Sequence, residues 1–414
     1  MSETLKFGNG QWATKVGSTL AYNDEGGNFK PLPFNFTRST GGTRVNKDGL
    51  IEVVSNNKPR IDFLNDSNGA LLLEPSRTNL VTYSEDFSNA AWTTNNATIS
   101  VNQIISPDGT LNADKITEDS SNTDHKTRDT IVFSNGTYTW SVLAKADERD
   151  FVAINVFDGT TLFGYTFDLL NGSLGSLVSG SGSVDANIEN YGSGWYRCSI
   201  SFTASSGTGQ ANVGAALNST TISYQGDGTS GLYIWGAQLE AGSYATSYIP
   251  TQGATATRVA EVCEQNLSNQ VSLTEGVFYV DVTNLGRTQN ANILTQNSTS
   301  NSVYGYIQTN NRIVFGLFAN SVSVPITSSL EYEIGTRTKI AFHYKSGNSK
   351  LYVNGSLVGN STDTFTIGSG FADAIRLIDN SSSYFAFPEK SILQEFKIYN
   401  TSLTDLQLQQ LTTL

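Results

Sequence analysis

Short stretches in which apolar and polar residues alternate recur along the whole chain, and Gly, Asn or Asp separates them. In YTWSVLAK (residues 138–145), every second residue from Tyr138 to Ala144 is apolar or aromatic. Alternation of this kind places the apolar side chains on one face of a β-strand. Asn-Gly and Asp-Gly pairs, such as Asn354-Gly355, supply the positive φ angles that tight hairpin turns require. The pattern therefore predicts an all-β chain of short strands joined by tight turns.

A helix is predicted only at the C-terminal end. Thr404 and Gln407 fit the capping pattern Thr-x-x-Gln, and leucines follow at helical spacing. The composition agrees with little helix, because the chain has 38 Gly, one Met and only 15% charged residues. Helical bundles and coiled coils are instead rich in Ala, Glu, Lys, Leu and Arg.

The length of 414 residues allows several domains, at roughly 100–200 residues each. We divide the chain into residues 1–66, 67–260 and 261–414. The first segment has few apolar positions, so we expect it to mediate attachment or assembly. The other two are dense in strand patterns and are expected to form two β-sandwich domains in tandem. The aromatic residues that we assign to assembly contacts of the first segment are Trp12, Phe29 and Phe34.

The charge balance restricts the partners of the chain. With 25 Lys+Arg and 37 Asp+Glu, the net charge is −12. Nucleic acid is excluded as a partner, because its binding requires a basic surface. No apolar run reaches the roughly 20 residues of a membrane-spanning helix. The first residues lack the charged and apolar regions of a secretion signal, so we expect none.

Cysteine and histidine are rare, which bears on metals and disulfides. Cys198 and Cys263 are the only cysteines, and the sequence leaves open whether they pair. His125 and His343 lie far apart and no CxxC motif occurs, which argues against zinc. The stretch DERD at 147–150 is rich in oxygen ligands, but its spacing does not specify calcium. We therefore expect no cofactor, with calcium unsupported rather than excluded.

Several phrases of the middle segment carry a resemblance. They are LEPSRTNL at 73–80, YSEDF at 83–87, AW at 91–92, GWYR at 194–197, YIWGAQLE at 233–240 and SYIPT at 247–251. In this order they resemble the carbohydrate-binding-module-like jelly-roll domain of phage tail fibres, spikes and other virion proteins. The resemblance covers about residues 67–260 and implies a jelly-roll sandwich there.

The last segment resembles laminin-G-like, or concanavalin A-like, sandwiches. The residues that carry this resemblance are IAFHY at 340–344, LYVNG at 351–355 and EFKIYN at 395–400. A tight Tyr-Val-Asn-Gly hairpin followed by a further apolar strand fits one sheet of such a sandwich. The fold hosts lectins, enzymes and adhesion modules, so the resemblance indicates the fold more than the function.

The sequence offers no convincing catalytic pair. Glycoside hydrolases of the concanavalin A-like class place closely spaced carboxylates on one strand, where residues i and i+2 share a face. The nearest counterpart is Glu331 with Glu333, which lacks a third member and lies just before Gly335. We expect no enzymatic activity.

Aromatic side chains are the candidates for ligand contact, because binding sites combine aromatic surfaces with a few polar groups. Trp140 and Trp235 lie inside strand patterns and are assigned to the core. Trp92 lies in an Asn- and Thr-rich stretch and is the best candidate for a sugar platform. Trp195 and Tyr196 are further candidates, although their phrase also fits a strand start in the core.

The resemblance implies a phage virion protein of spike, tail-fibre or vertex type, which displays lectin-like modules for attachment to host glycans. Its partners would be other virion proteins and host surface polysaccharide. It would form a homo-oligomer, either a trimer or, at a vertex, a pentamer. Two alternatives remain open: a structural or decoration virion protein without a ligand, and a glycan depolymerase.

Overall fold

The computed structural model describes residues 3–21, 32–284, 291–296, 300–378 and 390–414. The chain forms two compact units. Unit 1 comprises Met1–Lys47, Val53–Ser76 and Val259–Leu414, and unit 2 comprises Asp48–Glu52 and Arg77–Arg258.

In the described residues, eight strands precede the main part of unit 2 in sequence. They are β1 (Glu3–Gly8), β2 (Thr14–Lys15), β3 (Ser18–Ala21), β4 (Leu32–Thr37), β5 (Gly42–Val45), β6 (Ile51–Val54), β7 (Arg60–Asp62) and β8 (Ala70–Leu73).

The middle of the chain holds fifteen strands in the described residues. They are β9 (Arg77–Asn79), β10 (Trp92–Asn95), β11 (Ala97–Ile105), β12 (Leu111–Glu118), β13 (Asn122–Phe133), β14 (Gly136–Ala146), β15 (Phe151–Phe157), β16 (Leu162–Asp168), β17 (Ser173–Leu177), β18 (Asp185–Gly192), β19 (Trp195–Ala204), β20 (Gly207–Ala216), β21 (Ser223–Gln225), β22 (Gly231–Ala241) and β23 (Ala256–Arg258).

The C-terminal part of unit 1 holds the remaining elements of the described chain. They are β24 (Val262–Gln265), β25 (Glu275–Asn284), β26 (Ala291–Gln296), β27 (Ser302–Ile307), β28 (Arg312–Ala319), β29 (Val322–Glu331), β30 (Arg337–Lys345), β31 (Ser349–Val353), β32 (Ser356–Ser361), β33 (Ile375–Leu377), β34 (Ser391–Tyr399) and α1 (Asp405–Thr412).

Unit 2 is a sandwich of two antiparallel sheets. One has the order β10-β13-β20-β15-β16-β17, with β21 also on β13, and the other has the order β11-β12-β22-β14-β19-β18. Strand β14 shows how the alternating pattern becomes a core: Tyr138, Trp140, Val142 and Ala144 all join one buried cluster with residues of the facing sheet. The Trp140 indole Nε1 donates to the Asn212 carbonyl on β20, which links the two sheets at 3.0 Å.

Unit 1 is a second sandwich, again of two sheets. One sheet has the order β32-β31-β30-β25-β34-β8-β7, with β1 also on β34, and the other runs β2-β3-β4-β24-β33-β26-β27-β28-β29. A single buried cluster contains side chains of both sheets, such as Phe278, Phe342 and Phe396 from the first and Phe315 from the second. The predicted all-β, two-sandwich fold is confirmed.

The N-terminal residues belong to this second sandwich, which differs from the separate segment 1–66 that we expected. In β1, Phe7 pairs with Phe396, and in β4, Phe36 pairs with Cys263. Strands β5 and β6 form a two-stranded sheet of their own, whereas β1 to β4, β7 and β8 join the two sheets that residues 259–414 mainly build. The segment therefore completes a core instead of forming a small domain of its own.

The three aromatic residues assigned to assembly behave differently from one another. Phe34 is fully buried and packs edge-on against Phe396, with ring centroids 5.9 Å apart, so its assignment to a partner contact is wrong. Trp12 is half-buried, and its indole Nε1 donates to the Gly69 carbonyl at 3.1 Å. Phe29 lies outside the described residues.

The C-terminal helix forms as predicted. The Thr404 side chain accepts from the Gln407 backbone, the Gln407 side chain accepts from the Thr404 backbone, and Leu408 is buried. The helix packs its leucines against Tyr279 and Tyr352 on the outer face of the sheet that contains β25 and β31. Within the described ranges, no helix has the length and apolar character to cross a membrane.

Candidate functional site

The structure buries the preferred candidate for sugar stacking. Trp92 begins β10, is only 6% exposed, and its ring centroid lies 4.7 Å from that of Phe87. Its indole Nε1 donates to the Tyr83 carbonyl at 2.9 Å. Because the ring and its polar group are both used inside unit 2, the interpretation of Trp92 as a sugar platform is wrong.

The other two candidates for ligand contact, Trp195 and Tyr196, differ in how deeply they are buried. Trp195 begins β19, is 2% exposed, and donates through Nε1 to the Ile105 carbonyl at 3.2 Å, so it too is a core residue. Tyr196 is half-buried, with its ring close above Gly172, where an added Cβ would lie 2.5 Å from the ring. Ligand contact by Tyr196 stays a prediction.

Unit 2 carries an open pocket of about 690 Å³. Its walls come from three parts of unit 2 that are far apart in sequence: the segment after β9, the hairpin of β11 and β12, and residues 250–252. Its polar lining includes Glu85, Asp86, Asn102, Asn112, Asp114 and Gln252. Amide and carboxylate groups of this kind are suited to fix the orientation of a polar ligand.

Asp114 holds two walls of the pocket together. Its Oδ2 accepts from the Phe87 backbone and its Oδ1 from the Asn102 backbone, each at 3.0 Å. Asn102 has φ 55° and lies where the β11–β12 register shifts, so a β-bulge directs its N–H toward Asp114. Burial raises the pKa of Asp114 to about 6, and the nearby charge of Asp86 acts in the same direction.

Glu85 is a second carboxylate of the pocket lining whose position neighbouring side chains fix. Its Oε1 accepts from the Tyr248 hydroxyl at 2.8 Å, and its Oε2 accepts from the Asn112 amide at 3.3 Å. Burial raises the pKa of Glu85, and the charge of Asp108 raises it further. The carboxyl group is therefore oriented by neighbours, as a binding or proton-exchanging group must be.

Two polar atoms of the lining residues lack partners within the described part of the chain. The Oδ1 of Asn112 and the Oγ1 of Thr251 are buried and make no hydrogen bond. Buried polar atoms are almost always hydrogen-bonded in proteins, so these two atoms favour a buried water or a rearranged side chain as partner, and they are not exposed to a ligand in the pocket. Tyr83 adds a half-buried aromatic ring to the same wall.

Sequence reasoning did not predict this pocket, although Glu85 and Thr251 lie inside phrases of the resemblance. Other residues of the phrases are structural. Asn79 donates from Nδ2 to the Ala237 and Ile249 carbonyls, at 3.1 and 2.9 Å. Gln238 donates to Glu240 at 2.7 Å, and both are fully buried. Part of the resemblance thus holds β22 to the segments beside it, whereas Tyr83, Glu85 and Thr251, which belong to other phrases of it, line the pocket.

The other groups considered for chemistry have structural surroundings. Lys115 Nζ lies 2.6 Å from Asp147 and 2.7 Å from Glu148, so the acidic stretch 147–150 is paired with a cation. In the described ranges, no three His, Cys, Asp or Glu residues are grouped so that they could hold a metal ion. Glu331 and Glu333 are both exposed, at and just after the end of β29.

The cysteines are two free, buried thiols. Cys198 lies in the core of unit 2 and Cys263 in the core of unit 1. Burial raises the pKa of each thiol above its usual value. A buried thiol with a raised pKa is a poor nucleophile, because the thiolate is the reactive form.

The profile of the concanavalin A-like lectin/glucanases superfamily, in its Laminin_G_3 family, matches residues 266–409. This match agrees with the fold that we expected for the last segment. No curated protein matches the chain.

Solved structures show limited similarity. The CBM40 domain of Ruminococcus gnavus IT-sialidase, bound to α2,3-sialyllactose, is 14% identical, with 36% of this chain and 92% of that chain covered and a TM-score of 0.32. Botulinum neurotoxin type C is 16% identical, with 37% and 39% covered and a TM-score of 0.31. A SAP-like pentraxin from Limulus polyphemus is 15% identical, with 34% and 73% covered and a TM-score of 0.28. These scores are too low to transfer a ligand or a binding residue to this chain.

Proposed function

We propose that this chain is a phage virion protein, of spike, tail-fibre or vertex type, that attaches to glycans of the host surface. The observation that carries the proposal is the open pocket of about 690 Å³ in unit 2, lined by amide, carboxylate and aromatic side chains. The resemblance of residues 67–260 to virion jelly-roll domains supports the location on the virion. The match of residues 266–409 to the concanavalin A-like superfamily supports a lectin-like fold for the other unit.

The pocket has the chemistry that sugar recognition uses. Asn102 and Gln252 are exposed in the lining and offer amide groups, and a sugar hydroxyl both donates and accepts hydrogen bonds. Tyr83 offers an aromatic surface at the same wall.

We propose binding without cleavage of a glycosidic bond. Both oxygens of Asp114 accept backbone N–H groups, and Glu85 accepts from Tyr248 and Asn112. These carboxylates therefore have positioning partners of their own. Glu331 and Glu333, the pair selected from the sequence, are exposed at a strand end of the other unit.

The test is retention of purified protein on host surface polysaccharide, with an assay for new reducing ends. We expect retention without new ends, and loss of retention in Tyr83→Ala and in Asn112→Ala. Matched controls are Tyr196→Ala, a half-buried tyrosine outside the pocket, and Asn187→Ala, an exposed asparagine on β18. Retention that falls only in Tyr196→Ala would move the site to the residue chosen from the sequence.

Other outcomes would replace the proposal. No retention on any host polysaccharide would favour a structural or decoration role in the virion. New reducing ends that disappear in Glu331→Gln or Glu333→Gln would favour a depolymerase. Assembly into a homo-oligomer belongs to the same proposal, and imaging of the protein on the virion would distinguish a trimer from a pentamer.

A further inference from the structure

The unit 2 pocket carries negative charge without a compensating cation in its lining. Glu85, Asp86 and Asp114 contribute carboxyl groups, and none of the residues that line the pocket is Lys, Arg or His. Asp108 lies close enough to Glu85 to raise the pKa of that carboxyl. A site with this charge pattern repels carboxylate, sulfate and phosphate groups, and attracts cations.

The carboxyl groups of the pocket retain capacity for a ligand. Asp86 is exposed, and the hydrogen bonds that it accepts, from the Ser88 backbone and hydroxyl, both go to Oδ1. A carboxylate has about four acceptor positions, so Oδ2 of Asp86 is open to a donor. At Glu85, the amide of Asn112 is 3.3 Å from Oε2, at the long end of hydrogen-bond distances.

The arrangement of these groups suits an extended organic cation better than a metal ion. Divalent metals need several oxygen ligands that converge within about 2.0–2.6 Å of one point. Among the described residues, the acidic groups of the pocket do not form such a cluster. An ammonium group needs only one to three acceptors, which separate carboxylates along a wall can supply.

We propose that the pocket binds a glycan with free amino groups, namely a glucosamine-type sugar whose amine is not acetylated. This inference rests on the proposed glycan binding and adds the ligand class. The ammonium group pairs with Asp86 and Glu85, and the sugar hydroxyls reach the exposed amide groups of Asn102 and Gln252. Acidic glycans are excluded by the same carboxylates.

The experiment compares two probes of equal length that differ only at the amine: fully deacetylated chitosan oligomers and fully N-acetylated chitin oligomers. Binding to the full chain is measured by calorimetry at about pH 6, with about 0.05 M and about 0.5 M salt, where ionic screening differs strongly. We expect the deacetylated probe to bind about tenfold more tightly at low salt, and high salt to reduce that preference.

Two variants assign the preference to the pocket. Asp86→Asn, at an exposed position, should reduce the preference for the amine without affecting folding, and Glu85→Gln should reduce it further. Asp185→Asn removes an exposed carboxylate on β18, outside this pocket, and should leave the preference unchanged.

Two kinds of result would overturn the proposed recognition of an amine. Equal binding of both probes, or a preference that Asp86→Asn leaves intact, would overturn the amine assignment. If both probes bound equally and both lost affinity in Asn112→Ala, the pocket would still be the glycan-binding site, but without a preference for the amine. Failure of both probes to bind would also overturn the inference, while retention on host polysaccharide would decide the proposed function separately.

Discussion

Removal of one buried carboxylate in unit 1 should destabilise that unit strongly. Glu261 Oε1 accepts from Arg38 Nη1 at 2.8 Å and from Arg60 Nε at 2.6 Å, and its Oε2 lies 2.6 Å from Arg60 Nη2. Arg60 also pairs with Glu74 at 2.9 Å, and the Glu74 backbone donates to Glu261 at 2.9 Å. All four side chains are fully buried.

Electrostatics sets the size of the effect. Burial alone would lower the pKa of Arg60, but the charges of Glu261 and Glu74 raise it above its usual value. Glu261→Ala removes this carboxylate from Arg38 and Arg60, both buried, and leaves Arg60 its pairing with Glu74. Breaking a buried ion pair by removing one partner costs about 3–5 kcal/mol, a large part of the roughly 5–15 kcal/mol that stabilises a domain.

Calorimetric unfolding of the full chain provides the measurement, because it can separate the transitions of two units that need not unfold together. The matched control is Glu264→Ala on β24, which begins directly after Glu261. Glu264 is 39% exposed and pairs with Arg376 at 2.8 Å, so its loss should cost only about 0.2–1 kcal/mol.

The comparison of the two variants decides the reasoning. Glu261→Gln keeps hydrogen-bonding groups and should fall between the control and Glu261→Ala, which makes it informative if the alanine variant does not fold. If Glu261→Ala were no more destabilising than Glu264→Ala, the assignment of a stabilising role to this buried cluster would be wrong.

Three further predictions follow from burial. Reducing agent should not change the melting temperature of the wild type, because Cys198 and Cys263 are free thiols. Replacing both by Ser should lower the melting temperature, because each buried hydroxyl costs about 1–3 kcal/mol. A wild-type melting temperature that falls on reduction would contradict this. The raised pKa of Asp114, about 6, means that the folded state holds this proton more tightly than the unfolded state. The unfolding free energy of the wild type relative to Asp114→Asn should therefore fall as pH rises from about 4 to about 6, and urea titrations that show a pH-independent difference would refute it. Deletion of residues 1–66 should abolish the calorimetric transition of unit 1, because it removes Phe7, Phe34 and the β-strands that carry them; two intact transitions would restore the idea of a separate attachment segment.

Local features of the fold follow from the sequence because they depend on neighbouring residues. The period of two in 138–145 places alternate side chains in the core, as β14 shows. Asn354 and Gly355 both have positive φ, 47° and 79°, as the turn between β31 and β32 requires. The capping box at Thr404 likewise needs only residues within one helical turn. Strand positions, hairpins and the helix were therefore predictable.

The burial of particular aromatic residues was not predictable from local pattern. Trp92 lies among Asn and Thr residues, yet its ring packs against Phe87 and its indole bonds to the Tyr83 carbonyl. Phe34 lies in a segment poor in apolar residues, yet it joins a core with Phe396. Phe34 and Phe396 lie near opposite ends of the chain, and the contacts of Trp92 depend on how the irregular segment between β9 and β10 folds, which the alternation of residues does not show.

The same reason explains why the pocket was missed. The sequence by itself determined that this chain is all-β, where many of its strands turn, and that its surface is acidic. Only the tertiary structure decided that N-terminal strands complete the sandwich of unit 1, and that Glu85, Asn112 and Thr251 meet around one cavity. Strand pairing and cavity walls join residues far apart in sequence, so they depend on long-range packing rather than on local propensity.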